Sequence, residues 1–440
     1  MVGVLLSVCS VSLTGSFFPV LLALALIVPI TMMYLYKQVA YVEDVFFCMN
    51  DMNSMLVFMT VSLTLLIYLS SRFFSLNFYN SLLFVLTVVI LLCFTASDLL
   101  WFYVMFESSL IPILLMIIGW GYQPERLQAG LYMILYTVFG SMPLFIIVLY
   151  MGSRCSTFSM YILNLKVIEV FSWFIYLGYV AFMVKLPTWT LHVWLPKAHV
   201  EAPLGGSMIL AGALLKLGGY GIYVYASMWN NLMSSWVSVC ILSLALWGGL
   251  CASFVCLSQS DVKCMIAYSS VVHMSLVVLG VLSYTSWGYN CALITMVAHG
   301  WVSSALFLVA FLTYEKVGSR SFNYTKGILF FYPILSVGWF FLSLVNMAVP
   351  PTINLMGELA AVPAAFIVNP WLMLVVGGIM FMSVSYNMLM YTKVNHGSPG
   401  LLINSGLGVS SRGMLVLSGH FMPLLLILTM DLMSPYTAFL

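Results

Sequence analysis

Charge is the property that this sequence has least of. Only 6% of its 440 residues are Asp, Glu, Lys or Arg, whereas a soluble globular domain has roughly 25%. The 14 basic and 12 acidic residues nearly cancel, so the composition offers no charged surface suited to nucleic acid or to an acidic partner. Since 63% of the residues are hydrophobic and spread along the whole length, the chain is predicted to lie in a membrane almost throughout.

Motifs for nucleotides, metals and cleaved signals are missing as well. The sequence has neither a Walker phosphate loop nor a GxGxxG motif after a strand. Its nine cysteines form no CxxC pair, and the closest group, Cys251, Cys256 and Cys264, lacks the spacing of zinc or iron–sulfur ligands. The first basic residue, Lys37, follows two apolar stretches, which is unlike a cleaved signal. We therefore expect no nucleotide, metal or redox group on this chain.

Long apolar runs dominate what is present. A helix that crosses a membrane needs about 20 apolar residues. The runs of this kind are Phe17–Tyr36, Met55–Ser70, Ser81–Ala96, Leu99–Trp120, Leu127–Met151, Phe171–Trp194, Gly205–Met228, Trp236–Leu257, Cys264–Leu282, Cys291–Leu312, Ile328–Val368, Trp371–Tyr391 and Met414–Met430. The segment Met1–Val11 adds a further helix if it continues through Gly15. The sequence thus predicts an all-α polytopic membrane protein with 13 or 14 transmembrane helices.

Two of the runs are interrupted by proline. Lys185 and Pro187 interrupt the first, and Pro350-Pro351 interrupts a run that is long enough for two crossings. Proline removes a backbone donor and breaks a helix, and transporters built from inverted repeats carry such breaks at matching positions of their halves. We predict two inverted five-helix repeats, at residues 81–228 and 235–391. Helices at 1–80 precede them, and a loop with a last helix follows at 392–440.

Four charged residues lie inside the apolar runs: Glu107, Lys185, Lys216 and Glu358. A charge at the centre of a transmembrane helix costs about 3 kcal/mol, so each must pair, become neutral or reach water. A static ion pair, or a lysine that extends to the membrane interface, is one explanation. The other is a proton relay, because burial disfavours the charged form of carboxylates and amines alike and lets both exchange protons.

Two histidines accompany these charges. Ser269 and Ser270 lie one helical turn before His273, and Ser303 lies one turn after His299. Helical spacing therefore predicts hydroxyl groups beside both rings, which suits proton transfer. A histidine that simply packs inside a helix bundle is the alternative.

A second polar group follows the first interruption: His192, Lys197, His199 and Glu201. Two histidines and a carboxylate resemble a set of metal ligands. Three prolines close to them in the sequence make the geometry of a metal site doubtful, so we predict that no metal binds there.

The stretch Phe182–Gly221, which contains Leu-Pro-Lys-Ala-His-Val-Glu-Ala-Pro at 195–203, resembles the chain 4 family of mitochondrial NADH–ubiquinone oxidoreductase. That family is one of the antiporter-like subunits in the membrane arm of respiratory complex I. Similar motifs are Phe106-Glu-Ser-Ser-Leu-Ile-Pro112 and Pro350-Pro-Thr-Ile-Asn-Leu-Met-Gly-Glu-Leu359. Their order and spacing hold from about Asp98 to Leu359.

The resemblance implies a proton-translocating core subunit of NADH:ubiquinone oxidoreductase, with multiple spans in the mitochondrial inner membrane. Its partners would be the other complex I subunits, especially neighbouring antiporter-like ones, and membrane lipids. NADH, FMN, iron–sulfur clusters and ubiquinone would belong to other subunits, with no cofactor on this chain.

The resemblance also assigns roles to residues. It places Glu107, Lys185, Lys216 and Glu358 on the proton-handling axis, with His273 and His299 as intermediates. One departure is Pro187-Thr-Trp-Thr190, where similar sequences tend to have Pro-Leu-Tyr-Gly. A bulky Trp189 therefore follows the break, and a glycine is missing there.

Two other functions fit the same features. A free-standing cation/proton antiporter shares the broken helices, but it would act alone and depend on sodium or potassium. A structural spacer of the membrane arm would use the buried charges only to fix the register of its helices.

Overall fold

The computed structural model of the chain describes residues 17–36, 42–43, 47–71, 77–165, 172–229, 236–400, 403 and 408–424. The possible helix in the first 15 residues, Lys37, and the end of the last predicted span lie outside the described residues. The chain forms two compact units. The first comprises Met1–Pro187 and Glu201–Ile241, and the second comprises Thr188–Val200 and Leu242–Leu440.

Within the described residues, the regular structure of the first unit is helical apart from one short pair of antiparallel strands. The strands are β1 (Val42–Glu43) and β2 (Cys48–Met49). The helices are α1 (Phe17–Tyr36), α2 (Asp51–Ser70), α3 (Asn77–Phe94), α4 (Leu99–Ser108), α5 (Leu110–Trp120), α6 (Arg126–Cys155), α7 (Met160–Leu165), α8 (Ser172–Lys185), α10 (Leu204–Ile209) and α11 (Leu215–Ser227), with a π-helical turn at Leu210–Leu214 between the last two.

The second unit begins with α9 (Trp194–Glu201), which lies between α8 and α10 in the chain. Helix α12 (Trp236–Ser258) starts in the first unit and continues into the second. The remaining helices are α13 (Val262–Leu282), α14 (Ser286–Val317), α15 (Ile328–Phe331), α16 (Pro333–Asn346), α17 (Ile353–Val368), α18 (Pro370–Asn395) and α19 (Ser411–Leu424). Helix α14 packs against both α13 and α17, which brings the predicted site residues of this unit together.

The prediction of an all-helical polytopic chain is confirmed. Each predicted apolar run contains a helix in the part of the chain that the structure describes. Eight of these helices are long and apolar enough to cross a membrane. They are Asp51–Ser70, Leu99–Trp120, Arg126–Cys155, Leu204–Ser227, Ser238–Ser258, Val262–Leu282, Ser286–Val317 and Pro370–Asn395. The inverted relation of the predicted repeats stays a prediction.

Both predicted breaks are present. Helix α8 ends at Lys185, just before Pro187, and the chain turns through Thr190, whose φ is 80°. Helix α16 ends at Asn346, and Ala348 takes a φ of 57° before α17 begins after Pro351. Each break thus combines proline, which ends the helix, with one residue in the left-handed region.

Three local features differ from the sequence interpretation. The helical segment after the first break begins at Trp194, where the predicted span ended. The span Leu99–Trp120 is divided at Ser109, because Pro112 removes the N–H that would have bonded one turn back. The run of small residues before Lys216 forms a π turn, which a pattern of apolar residues does not reveal.

The two units share one local arrangement. In the first, Asp98 begins α4 and forms a β-bridge with Ser159, which follows α6. In the second, Asp261 begins α13 and forms the same bridge with Ser321, which follows α14. Each bridge fixes the start of the helix that carries a predicted site residue, Glu107 in α4 or His273 in α13.

Thr190 offers a test of the first break. A β-branched residue in the left-handed region is strained by roughly 1–2 kcal/mol. Thr190→Gly relieves this strain but also gives the unfolded chain more conformational entropy, which opposes the gain. The free energy of unfolding should therefore stay unchanged or rise by up to about 1 kcal/mol. The thermal midpoint of the detergent-solubilised chain measures the effect.

Thr188→Gly in the same turn is the matched control. Thr188 has no positive φ, so glycine there gains nothing and should lower the midpoint. Equal losses for both variants would show that Thr190 is not strained.

Candidate functional site

In the first unit, Lys185 meets the end of α4. Its ammonium group donates a hydrogen bond to the backbone carbonyl of Phe106, and Nζ lies 3.2 Å from the centroid of the Phe106 ring. Lys185 is only 4% exposed. The carbonyl and the face of the ring both carry partial negative charge, so they stabilise a buried cation.

This contact joins the ends of two helices. Lys185 is the last residue of α8, and Phe106 lies in the last turn of α4. The C-terminal end of a helix carries a partial negative charge, because its final carbonyls have no partner within the helix. The C-terminal ends of α8 and α4 therefore create a local site for a positive charge at membrane depth.

Glu107 is the residue next to the carbonyl that Lys185 binds. It is partly buried, and its Oε1 has no hydrogen-bond partner in the protein. Lys185, Cys93 and Ser141 lie within interaction range of its carboxyl group. Among the described residues no ion pair joins Glu107 to Lys185, so the two groups interact electrostatically at a distance longer than that of an ion pair.

Lys216 is held by the π turn that precedes it. Its Nζ donates to the carbonyl of Ala211 at 2.7 Å, and the side chain is completely buried. A π turn displaces the normal helical ladder and leaves a carbonyl available to another donor. Several small residues precede this lysine in the sequence, and one of them, Ala211, binds it through its backbone carbonyl.

Close helix packing keeps both lysines from water. Phe102, Phe106 and Phe182 pack on one another beside Lys185. At Gly218, a Cβ atom would lie only 3.0 Å from the backbone nitrogen of Leu186. Only glycine therefore allows α11 to approach the first break this closely.

In the second unit, three predicted residues come together. Nδ1 of His273 lies 3.8 Å from Oε1 of Glu358, and the ring centroids of His273 and His299 are 5.5 Å apart. Their exposures are 1%, 4% and 2% for His273, Glu358 and His299. Helices α13, α14 and α17 thus supply one ionisable group each to a single buried cluster.

The serine hydroxyls near these histidines bond to their own helices. Ser270 donates to the carbonyl of Ala267 at 2.6 Å, and Ser303 donates to that of His299 at 2.7 Å. A hydroxyl that donates in this way keeps lone pairs that can accept a hydrogen bond. The serines are close to the histidines in the helix, as predicted, but their donors are already used.

The residues after the first break pack as aromatic neighbours. His192 stacks on Trp189 with ring centroids 4.8 Å apart, and His199 stacks on Phe307 at 4.7 Å. Within the described residues no group of three or more His, Cys, Asp or Glu side chains is placed to hold a metal ion.

Sequence reasoning missed several buried polar residues. Lys263, at the start of α13, donates to the carbonyl of Val200 at 3.3 Å. It stands at the edge of a predicted span and so resembled a loop residue. Asn346 and Asn387 form a buried amide pair at 2.9 Å. Each of these asparagines interrupts an apolar run, and this interruption could have identified them in the sequence.

Comparison with known sequences gives a consistent result. The family model described as NADH:quinone oxidoreductase/Mrp antiporter, TM, matches residues 96–383. A protein of Albinaria caerulea named NADH-ubiquinone oxidoreductase chain 4 is 42% identical, over 94% of this chain and 95% of that protein. A protein of Aedes aegypti with the same name is 45% identical, over 74% of this chain and 73% of that protein.

Two solved structures have the same fold. A chain of respiratory complex I from Thermus thermophilus matches with a TM-score of 0.89 and 24% identity, covering 97% of this chain and 96% of that one. A chain of the Mrp complex from Dietzia sp. DQ12-45-1b matches with a TM-score of 0.86 and 16% identity, covering 99% of this chain and 94% of that one.

The distance between His273 and Glu358 leads to a spectroscopic prediction. The carboxyl C=O band of Glu358, assigned in infrared spectra by its loss in Glu358→Gln, should shift in frequency in His273→Gln, because the imidazole neighbour is removed. Ser275→Ala is the control, since the Ser275 hydroxyl bonds to Val272 in its own helix. An unchanged band in His273→Gln would contradict the contact.

Proposed function

Because this chain belongs to the NADH-ubiquinone oxidoreductase chain 4 family, we propose that it carries protons across the mitochondrial inner membrane as a subunit of the membrane arm of complex I. NADH oxidation and ubiquinone reduction, with FMN and iron–sulfur clusters, take place in other subunits. Neighbouring antiporter-like subunits are its nearest partners. The chain itself supplies the ionisable groups.

One observation carries this proposal most directly. Lys185 at the first break reaches the carbonyl of Phe106 in a helix about 80 positions earlier in the chain, beside the Glu107 carboxyl group. A lysine there can hold a proton on carbonyl and ring contacts or release it to a neighbour. If Lys185 were only a static anchor, it would not need a second ionisable group nearby. Glu107 is such a group, and one of its carboxylate oxygens has no hydrogen-bond partner.

The first unit provides a switchable pair. Charge on Glu107 favours the protonated form of Lys185, since opposite charges in a poorly solvated region stabilise each other. When quinone reduction elsewhere in the complex changes the charge near Glu107, the influence of Glu107 on Lys185 changes. Lys185 then takes up or releases its proton.

The later steps use Lys216, His273, His299 and Glu358. Lys216 accepts the proton on Nζ, and an N–H of the same amine continues to donate a hydrogen bond to the Ala211 carbonyl. His273 and His299 are close enough to exchange protons through one intervening water, and Glu358 lies beside the first of them. The order of the steps from one unit to the other is taken from the family resemblance.

We also propose that residues 81–228 and 235–391 are duplicated repeats. The paired bridges Asp98–Ser159 and Asp261–Ser321 support this proposal, as do the proline breaks that follow each of them. Under this arrangement the flanking segments 1–80 and 392–440 are additions to the two repeats.

Substitution of Lys185 tests the proton relay. In an assembled complex reconstituted in proteoliposomes, Lys185→Ala should abolish the proton translocation that depends on this chain. Lys185→Arg should have the same effect, because arginine does not readily deprotonate. The number of protons moved per NADH oxidised is the measurement.

Lys326→Ala is the matched control, because Lys326 is exposed. Native gels stained for NADH oxidation should show every variant in the assembly. Full proton stoichiometry in an assembled Lys185→Ala complex would refute the relay. Migration of the active wild-type chain alone, with transport that depends on sodium or potassium, would favour the free-standing antiporter.

A further inference from the structure

The second unit holds a buried polar group that the proposed relay does not use. We propose that Tyr386, Asn387 and Asn346 form a hydrated outlet through which Glu358 exchanges its proton. The inference rests on the proposed function and extends it. It gives α18 a part in proton transfer that its apolar sequence does not suggest.

The amide pair forms the fixed part of the outlet. Nδ2 of Asn346 donates to Oδ1 of Asn387 at 2.9 Å, and Nδ2 of Asn387 donates to the carbonyl of Ser383 at 2.9 Å. Asn346 is 2% exposed and Asn387 is fully buried. Each amide thus donates to the next group, first from Asn346 on α16 to Asn387 on α18 and then from Asn387 to Ser383 on the same helix. Helix α16 ends at Asn346, so the pair stands at the second break.

Tyr386 lies next to Asn387 on α18, which packs against α17, the helix that carries Glu358. The phenol is fully buried, and its hydroxyl has no hydrogen bond of standard geometry to the protein although it lies against Asn387. Glu358 and Cys256 are the ionisable groups that act on it. A buried hydroxyl without a protein partner costs free energy unless water satisfies it.

A second unpaired atom lies at the same break. Oδ1 of Asn354 is buried without a hydrogen-bond partner, while its Nδ2 donates to the carbonyl of Val345 at 3.4 Å. Several polar atoms that converge on one place can hold ordered water, whereas an isolated one cannot. The phenol and the amide oxygen are two such atoms, and the Glu358 carboxyl group lies one helical turn after Asn354 on α17.

The orientation of α18 supports a function for these residues. Phe381, Val384 and Met388 are 75%, 47% and 42% exposed on its outer face. Ser383, Tyr386 and Asn387 lie on the buried face. A membrane helix is expected to turn its apolar face outward to the lipid. Polar groups that face inward mark pathways for ions or protons.

The transfer balances without another reagent. The carboxyl O–H of Glu358 gives its proton, directly or through one water, to the oxygen of Tyr386, which leaves a carboxylate on Glu358. The phenol releases its own proton to the next water beside Asn387 and remains neutral. One proton enters and one leaves, and no bond between heavy atoms changes.

Exchange at Glu358 tests the outlet separately from pumping. In the reconstituted complex, infrared spectroscopy follows the shift of the Glu358 carboxyl band after transfer to D₂O. Tyr386→Phe removes only the hydroxyl and should slow this exchange about tenfold, as expected for the loss of one hydrogen-bonding group. Asn387→Leu should slow it as well, and both variants should lower the protons moved per NADH.

Ser385→Ala is the control on the same helix, because the Ser385 hydroxyl bonds to the carbonyl of Met382 in its own backbone. Wild-type exchange in both Tyr386→Phe and Asn387→Leu would overturn the outlet, even where Glu358→Gln stops pumping. If exchange is slowed in Tyr386→Phe and Asn387→Leu while Glu358→Gln pumps normally, the outlet stands as a proton path to Glu358. The proposed role of Glu358 in translocation is then rejected.

Discussion

The structure depends on how backbone carbonyls are satisfied where helices break inside a membrane. Lipid supplies no donor there, so each open carbonyl needs one from the protein or from a water that the protein holds. Lys185 supplies one to Phe106, and Lys216 supplies one to Ala211. The same interactions that stabilise the interrupted helices therefore place two proton-binding amines at membrane depth. Removal of Lys216 would take away the donor of the Ala211 carbonyl, whereas the Phe106 carbonyl would keep the hydrogen bond that it accepts from the Ser109 hydroxyl at 2.7 Å.

The second break is satisfied by amides instead of amines. Asn354 donates to Val345 across the break, and Asn346 donates to Asn387 on the neighbouring helix. Amides do not titrate. The ionisable groups of this unit are His273 and His299, on α13 and α14, and Glu358, on the segment α17 that follows the break. The two units thus have similar backbone breaks with different chemistry, a lysine in the first and hydrogen-bonded amides in the second.

The sequence was most informative where one residue type decides the structure. Prolines located both breaks, and charges within apolar runs identified Glu107, Lys185, Lys216 and Glu358. It was less informative where geometry depends on packing. The π turn before Lys216 does not show in the pattern of apolar residues, and the partner of Asn346 is a residue 41 positions away. Periodicity cannot show which carbonyl a buried lysine will bind.

The most direct test of the central claim is to exchange the charges of Glu107 and Lys185 in one complex and measure protons moved per NADH oxidised. If the two residues form a proton relay, Glu107→Lys with Lys185→Glu should assemble and oxidise NADH but lose the translocation that depends on this chain, because the carboxylate cannot bind the Phe106 carbonyl as the ammonium does. If the exchanged pair pumps with the wild-type stoichiometry, the charges serve only to fix the helices, and the account is wrong.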